Sequence, residues 1–196
     1  MKLFVVVLLR ISLLLRVFDF LFSLIGIIFG FPVLVVIFLI GLFDTGSPLF
    51  IQKRIGRDRR AFKLVKFRTM SRDTASMATH LVSQSSVTRF GKFLRKTKLD
   101  ELPQLWNVLK GDMSLVGPRP NLESQVNLIM ERSKRNIYSV RPGITGLAQI
   151  LGVDMSRPEL LAETDERMIS EMSFQNYLKF IILTLVGRGA GDRVRN

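Results

Sequence analysis

An uncharged apolar run near the N-terminus constrains this chain more than any other feature. Residues 20–43 contain no Asp, Glu, Lys or Arg and consist mostly of aliphatic and aromatic side chains. At about 1.5 Å per helical residue, the run is long enough to cross a hydrocarbon core of roughly 30 Å. Because no Ala-x-Ala-like cleavage site follows it, we interpret it as a retained membrane segment and not as a signal peptide.

Two features of this run argue against a plain transmembrane span. Pro32 lies near its middle, and proline removes a helix hydrogen bond and bends the axis. Basic residues also flank the run on both sides, and the positive-inside rule would keep both flanks in the cytoplasm. They are Lys2, Arg10 and Arg16 before it, and Lys53, Arg54, Arg57, Arg59, Arg60, Lys63, Lys66 and Arg68 after it. We therefore favour a re-entrant helix that enters the membrane, breaks at Pro32 and returns to the same face.

The amino-acid composition limits the chemical classes of partner that the chain can bind. Its 196 residues suit one domain of moderate size, and a formal net charge of +13 favours anionic partners such as phosphates, anionic lipid or nucleic acid. The absence of Cys excludes disulfides and thiolate metal sites. The single histidine, His80, lies in a polar Ser/Thr-rich stretch without a partner for a zinc site, so we interpret it as a solvated loop residue.

After the apolar run, the patterns predict a small, mainly helical α+β domain. Two short strands, at residues 49–52 and 62–67, would form a basic β-hairpin around a loop at residues 56–60. Residues 71–87 predict a polar surface loop. Residues 88–98 are basic amphipathic chain that leads into Asp100. Surface or amphipathic helices are predicted at residues 121–139 with Arg132 on a solvated face, from Pro158 onward as an acidic helix that includes Asp165, and at 177–186. We divide the chain into a membrane segment (1–44), a domain (45–186) and a basic tail (187–196).

Residues 98–111, KLDELPQLWNVLKG, combine an acid pair with the pattern of an amphipathic helix. If Asp100 caps this helix, Glu101 falls in its first turn and Pro103 sits where no intrahelical N–H is required. Gly111 would then end the helix. The positive end of the helix dipole would lower the pKa of Asp100 and attract anionic ligands. An ordinary N-cap explains the same pattern, and this segment alone favours that simpler interpretation.

Two turn-rich segments carry arginines suited to phosphate binding. Arg119 follows Pro118 and precedes a second proline, so its backbone has little freedom and its guanidinium is pre-set for bidentate contacts. Arg141 precedes a Pro-Gly pair that ends at Gly143, where the backbone N–H groups allow close approach of an anion. The glycine spacing is neither that of a Walker loop nor that of a dinucleotide fingerprint.

Together these motifs resemble the small monotopic phosphoglycosyl transferases, the bacterial sugar transferase family that starts polysaccharide, O-antigen and glycan assembly. The similarity extends from about residue 16 to 186. Its motifs are FDF at residues 18–20, GSPLFIQKRIG, KFRTM, LDELPQLWNVLKGDMSLVGPRP and RPGITGLAQ. The combination of LDELPQ with GDMSLVGPRP is highly specific, and it favours a functional role for Asp100 over that of an ordinary cap.

The resemblance implies that residues 45–186 are a catalytic domain on the cytoplasmic face of the bacterial inner (plasma) membrane. It implies transfer of a sugar 1-phosphate from a UDP-sugar to polyprenol (undecaprenol) phosphate, with release of UMP and with Mg²⁺ as cofactor. Asp100 would attack the β-phosphate and form a covalent phosphosugar-enzyme, Glu101 would complete the acidic pair, and one or both would bind Mg²⁺. The substrate-binding residues would be Lys66, Arg68, Pro118, Arg119, Arg141 and Gly143.

Three positions depart from the family pattern. Arg59 stands where a glycine is common, Leu151 replaces the usual Asn after GLAQ, and the aromatic residue expected shortly after Asp165 is absent. These departures leave the donor sugar open, although the C-terminal sequence resembles the subgroup that uses N-acetylated 6-deoxyhexosamines.

Two alternatives remain at this stage. A membrane-anchored basic adaptor for anionic lipid or nucleic acid would explain the charge, but it gives no reason for LDELPQ. The sequence contains no recognisable nucleic-acid-binding module, so we expect no nucleic-acid partner. A glycosyltransferase that passes sugar directly to an acceptor, without a covalent phosphosugar, is the second alternative.

Overall fold

The computed structural model describes residues 2–72 and 86–187, with side chains from residue 13 onward. Its helices are α1 (Lys2–Thr45), α2 (Arg89–Thr97), α3 (Gln104–Lys110), α4 (Val126–Lys134), α5 (Leu147–Leu151), α6 (Pro158–Ser170) and α7 (Phe174–Leu185). Its strands are β1 (Leu49–Ile55), β2 (Ala61–Phe67), β3 (Ser114–Val116) and β4 (Gly143–Thr145). The predicted, mainly helical domain with a short hairpin is confirmed. His80 and most of the predicted tail lie outside the described residues.

Helix α1 continues through Pro32 as one helical element, and the break predicted at that residue stays a prediction. Proline removes one backbone N–H, and the intrahelical bonds on either side of it suffice to keep an apolar helix intact. From Leu13 to Thr45 the helix is long and apolar enough to cross a membrane by length and composition. The re-entrant path through a membrane stays a prediction.

One face of α1 packs on the domain on both sides of Pro32. Before the proline, Arg16 donates to the carbonyl of Val108 (2.7 Å), and Gly26 lies so close to α3 that a Cβ there would contact Leu105. After it, Ile37 is buried against Phe67 of β2 and a leucine of α2. The opposite face exposes large apolar side chains such as those of Phe29 and Phe43.

Asp19, in the FDF motif, ties α1 to two other elements. Its Oδ1 atom accepts hydrogen bonds from the backbone N–H of Leu115 (2.8 Å) and from the hydroxyls of Ser114 (3.0 Å) and Tyr177 (2.7 Å). Because the carboxylate is buried and has these three donors, it fixes β3 and α7 against the apolar helix. Composition and spacing did not predict this contact.

Strands β1 and β2 form the predicted antiparallel hairpin, with Gln52 opposite Leu64. β1 continues to Ile55, three residues beyond its predicted end at residue 52. The connecting turn, Arg57–Arg59, holds Asp58 and Arg59 in the left-handed region, at φ 54° and 59°. A glycine adopts this conformation without a steric penalty, which explains why glycine suits position 59.

Strands β3 and β4 form a short parallel pair that the sequence did not predict. Ser114 lies opposite Gly143, and Val116 opposite Thr145. A Cβ on Gly143 would collide with the backbone of Gly117, so glycine is required for this close approach. The pairing places the two arginine-bearing segments side by side.

Candidate active site

The acid pair lies in a 3₁₀ turn, Leu99–Glu101, between α2 and α3. The prediction that Asp100 caps the helix is wrong, because the chain enters α3 through this tighter turn and Pro103 takes the cap position. Gly111 ends α3 in the left-handed region, at φ 89°, as predicted. Asp100 is only 4% exposed. A buried carboxyl at the start of a helical run is a candidate functional group, as the motif suggested.

Glu101 forms an ion pair with Arg119, in which the Oε1 and Nη2 atoms are 2.8 Å apart. Both side chains are largely withdrawn from solvent, so the pair is weakly screened. This contact joins LDELPQ to the loop at residues 117–120, two motifs that the sequence identified separately.

A second cation, missed by sequence reasoning, lies beside this pair. Lys98 ends α2 in the left-handed region, at φ 59°, and its Nζ donates to the carbonyl of Thr184 (3.4 Å). Partial burial lowers the pKa of Lys98, with the charge of Glu101 opposing this shift and that of Arg119 adding to it. The sequence signal that could have identified Lys98 is its position directly before the LDE motif.

Backbone contacts fix the loop at residues 117–120. Gly143 donates its N–H to the carbonyl of Pro118 (2.9 Å), and Gly117 donates to the carbonyl of Thr145 (2.9 Å). From the hairpin, Arg54 donates to the carbonyl of Pro120 (3.2 Å). The predicted binding residues Pro118 and Gly143 therefore meet each other, and the loop is held from two sides.

A buried ion pair supports the same loop from behind. Arg132 on α4 and Asp165 on α6 are 2.7 Å apart and almost completely buried, so the predicted solvated position of Arg132 is wrong. Arg132 also donates to the carbonyl of Arg119 (2.8 Å) and to the side chain of Asn121 (3.0 Å). Burial raises the pKa of Asp165, and the guanidinium of Arg132 opposes that shift. No local pattern predicts a pair formed across two helices.

Arg141 lies at the opposite end of α3 from the acid pair. Its Nε donates to the carbonyl of Gly111 (2.9 Å), and burial lowers its pKa, helped by the nearby charges of Arg16 and Arg57. These contacts place Arg141 at the C-terminal end of α3, beside Arg16. The structure therefore separates it from Arg119, although the sequence suggested equal roles.

The KFRTM cations lie around the base of the hairpin. Arg68 donates to the carbonyls of Ser47 (2.9 Å) and Leu49 (3.2 Å), and its guanidinium lies 5.5 Å from the centre of the Phe50 ring. The buried Lys66 has its Nζ 6.0 Å from the same ring. Burial lowers the pKa of Arg68, and the charge of Arg72 acts in the same direction.

A further arginine of α2 was not singled out from the sequence. Arg95 donates from Nε to the hydroxyl of Thr69 in KFRTM (2.9 Å), where α2 packs closely enough to require Gly91. Its Nη1 is buried and has no hydrogen-bond partner among the described residues. A buried N–H without a protein partner is suited to an anionic ligand.

The number of metal-ligating side chains limits the kind of metal site that the acid pair can form. Within residues 2–72 and 86–187, no group of three or more Asp, Glu, His or Cys residues is placed to hold a metal ion. Mg²⁺ commonly binds through one or two carboxylates, retained water and substrate phosphates. Asp100 and Glu101 fit that donor set, with Glu101 shared with Arg119.

The described part of the chain thus combines an exposed apolar helix, long enough to cross a membrane by length and composition, with a small domain that carries a carboxylate pair beside cations. The chain belongs to the bacterial sugar transferase family, whose model matches residues 11–188.

Its relatives include the galactosyl transferase CpsE of Streptococcus agalactiae, 39% identical over 75% of this chain and 36% of that protein. The UDP-galactose-lipid carrier transferase of Erwinia amylovora is 33% identical over 87% of this chain and 39% of that protein. The UDP-glucose:undecaprenyl-phosphate glucose-1-phosphate transferase of Caulobacter vibrioides is 38% identical over 74% of this chain and 58% of that protein. The chain thus spans less than two fifths of the first two relatives.

Proposed function

We propose that this protein transfers a sugar 1-phosphate from a UDP-sugar to membrane polyprenol phosphate. The products are polyprenyl-diphosphate-sugar and UMP, and the reaction is the initiating step of a glycan assembly. The contact between Glu101 and Arg119 carries the proposal, because it places an arginine of the turn-rich loop beside the Asp100 turn. The name of the Caulobacter relative describes the same transfer with glucose.

In the proposed mechanism, Asp100 is the nucleophile. One carboxylate oxygen attacks the β-phosphorus of the UDP-sugar, the bond from that phosphorus to the bridging oxygen breaks, and UMP leaves with the electron pair. A phosphate oxygen of the polyprenol phosphate then attacks the phosphosugar-enzyme and restores the carboxylate. Covalent catalysis of this kind divides one displacement into two easier ones. The burial of Asp100 supports this role, since it removes competing water.

Cations around the acid pair would neutralise the diphosphate. Arg119 and Lys98 lie beside Glu101. Bound at Asp100 and Glu101, Mg²⁺ would supply further charge neutralisation of the leaving phosphate. A fixed arrangement of such charges stabilises charge that develops in the transition state.

The placement of α1 supports a re-entrant path, and the basic residues on both flanks of the apolar run favour the cytoplasmic face for the domain. Arg16 and Asp19, before the apolar run, contact the domain through Val108 and Leu115. At the far end of the run, Asp44 accepts a hydrogen bond from the hydroxyl of Thr88 (2.7 Å). One small domain contacts both ends of the apolar run, which is difficult to reconcile with ends on opposite sides of a bilayer.

The test is a donor screen with the detergent-solubilised protein, undecaprenyl phosphate and Mg²⁺. We expect UMP release with at least one UDP-sugar, and N-acetylated 6-deoxyhexosamines belong in the panel. A direct glycosyltransferase would release UDP instead, and an adaptor would release neither nucleotide. Absence of UMP with every donor, in protein shown to be folded, would contradict the proposal.

A further inference from the structure

The ring of Phe50, in β1, lies against two cations of the KFRTM motif. The Nζ atom of Lys66 is 6.0 Å from the ring centre, and the guanidinium of Arg68 is 5.5 Å from it. A cation at such a distance is attracted by the negative face of an aromatic ring. Phe50 is also directly opposite Lys66 in the register of the hairpin, so the strand pairing itself sets this contact.

The surroundings of the two cations make the ring contact stronger than it would be in water. Lys66 is only 7% exposed. Burial lowers the pKa of Arg68, and the carbonyls of Ser47 and Leu49 accept hydrogen bonds from its guanidinium. Cation–π contacts strengthen as the cation is withdrawn from solvent. The ring of Phe50 is the contact that both cations share.

The face of the hairpin that carries Phe50 is directed toward the Arg119 loop. Alternate residues of a strand lie on the same face, so Phe50 shares its face with Arg54, four residues further on. Arg54 donates to the carbonyl of Pro120, and the neighbouring Arg119 pairs with Glu101. The ring and its cations therefore lie on the side of the hairpin that meets the proposed reaction centre.

The end of β2 also adjoins the acid pair through an apolar contact. Leu99, directly before Asp100, packs against the buried cluster that includes Phe67. Phe67 stands between Lys66 and Arg68 in the chain. The two cations at the ring thus flank a residue of the cluster on which the acid-pair turn rests.

We propose that Phe50 is a positioning residue whose ring holds the Lys66 ammonium and the Arg68 guanidinium in the arrangement that binds the diphosphate of the UDP-sugar. The inference rests on the proposed function, since it takes a nucleoside diphosphate as the ligand of these cations. Phe50 acts through the two cations and not on the reacting atoms. A ring that orders a flexible lysine side chain before the ligand arrives lowers the entropy cost of binding.

Fluorinated phenylalanines at position 50 test the electrostatic part of this role. Each fluorine weakens the negative face of the ring and leaves its shape nearly unchanged, so the fold is kept. We expect the Kd of UDP with Mg²⁺, measured by calorimetry on the detergent-solubilised full chain, to rise stepwise to about fivefold with the trifluorinated ring. The same replacement at Phe174, whose ring packs on that of Phe18, should leave this Kd unchanged. A constant Kd along the Phe50 series would overturn the proposal.

Substitutions among the natural amino acids separate the ring from its bulk. Phe50→Tyr keeps the ring, and its KM for the UDP-sugar should stay near that of the wild type. Phe50→Leu keeps only apolar bulk, and we expect it to raise this KM about tenfold with little change in kcat. In a Lys66→Met background, Phe50→Leu should have a smaller effect, because one of its two cations is gone. An effect of equal size in both backgrounds would make Phe50 a packing residue and overturn the proposal.

The binding measurement separates this inference from the proposed reaction, because UDP binding needs no turnover. A Kd that follows the fluorine series in a protein that releases no UMP would support the role of Phe50 and contradict the reaction. UMP release together with a constant Kd would contradict the role of Phe50 alone. An effect confined to KM for undecaprenyl phosphate would assign the two cations to the acceptor and overturn the proposal.

Discussion

At the N-terminal end of α3, Arg119 pairs with the Glu101 carboxylate, whereas at the C-terminal end Arg16 and Arg141 donate to backbone carbonyls. The same residue type therefore has two uses at opposite ends of one short helix. Carbonyl groups at a helix C-terminus attract guanidinium groups, and those contacts stabilise the fold. The comparison teaches that an arginine next to a proline in a turn-rich segment acquires its role from the helix end that it reaches.

The largest expected effect is the loss of UMP release when Asp100, at the N-terminal end of α3, is substituted. We expect Asp100→Asn to lower UMP release by more than about a thousandfold and to abolish the covalent adduct, because an amide is not a nucleophile. Asp112→Asn, beyond the C-terminal end of α3, is the control and should retain activity. Adduct detection by mass spectrometry is the direct measurement, and an active Asp100→Asn protein would remove the nucleophile assignment.

The next largest effect concerns the buried support of the Arg119 loop. Arg132→Met leaves Asp165 buried without its partner, and we expect a loss of about 3–5 kcal/mol in the free energy of unfolding. The double variant Arg132→Met/Asp165→Leu should recover much of that stability but not the activity, since the bond to the Arg119 carbonyl stays lost. Unfolding in detergent and UMP release measure the two effects, and a fully active double variant would contradict a positioning role.

A direct test of the comparison substitutes each arginine with lysine. Arg119→Lys should lower kcat/KM about a hundredfold with little change in Tm, because lysine lacks the planar fork. Arg141→Lys should leave kcat/KM within a few-fold but lower stability by roughly 1–2 kcal/mol, through the bond to Gly111. If Arg141→Lys is the less active variant, the catalytic role assigned to the N-terminal end of α3 and the structural role assigned to its C-terminal end are wrong.

The smallest effect is a change in pH dependence at the N-terminal end. Because burial lowers the pKa of Lys98, its positive charge is lost at a lower pH than for an ordinary lysine. We expect KM for the UDP-sugar to rise on the alkaline side as that charge disappears. Lys98→Arg should shift this rise to higher pH, since arginine stays charged. A pH profile that is identical in both proteins would exclude Lys98 from diphosphate binding.

Much of the fold was predictable from the sequence. The apolar helix, the basic hairpin and the end of α3 at Gly111 follow from local composition and periodicity, which depend on neighbouring residues. The position of Asp100 was predicted less well, because a 3₁₀ turn and an N-cap share the same sequence signals. The continuity of α1 through Pro32 depends on the whole helix and not on the proline alone.

The sequence by itself identified the acid pair and the arginine loops as the pieces of a phosphate site, because carboxylate and guanidinium groups are properties of the residue types. Only the tertiary structure decided which pieces meet. It brought Arg119 to Glu101, turned Arg141 toward Gly111, and buried Arg132 against Asp165. The physical reason is that such pairs form between residues distant in the chain, so packing and desolvation select them where local pattern cannot.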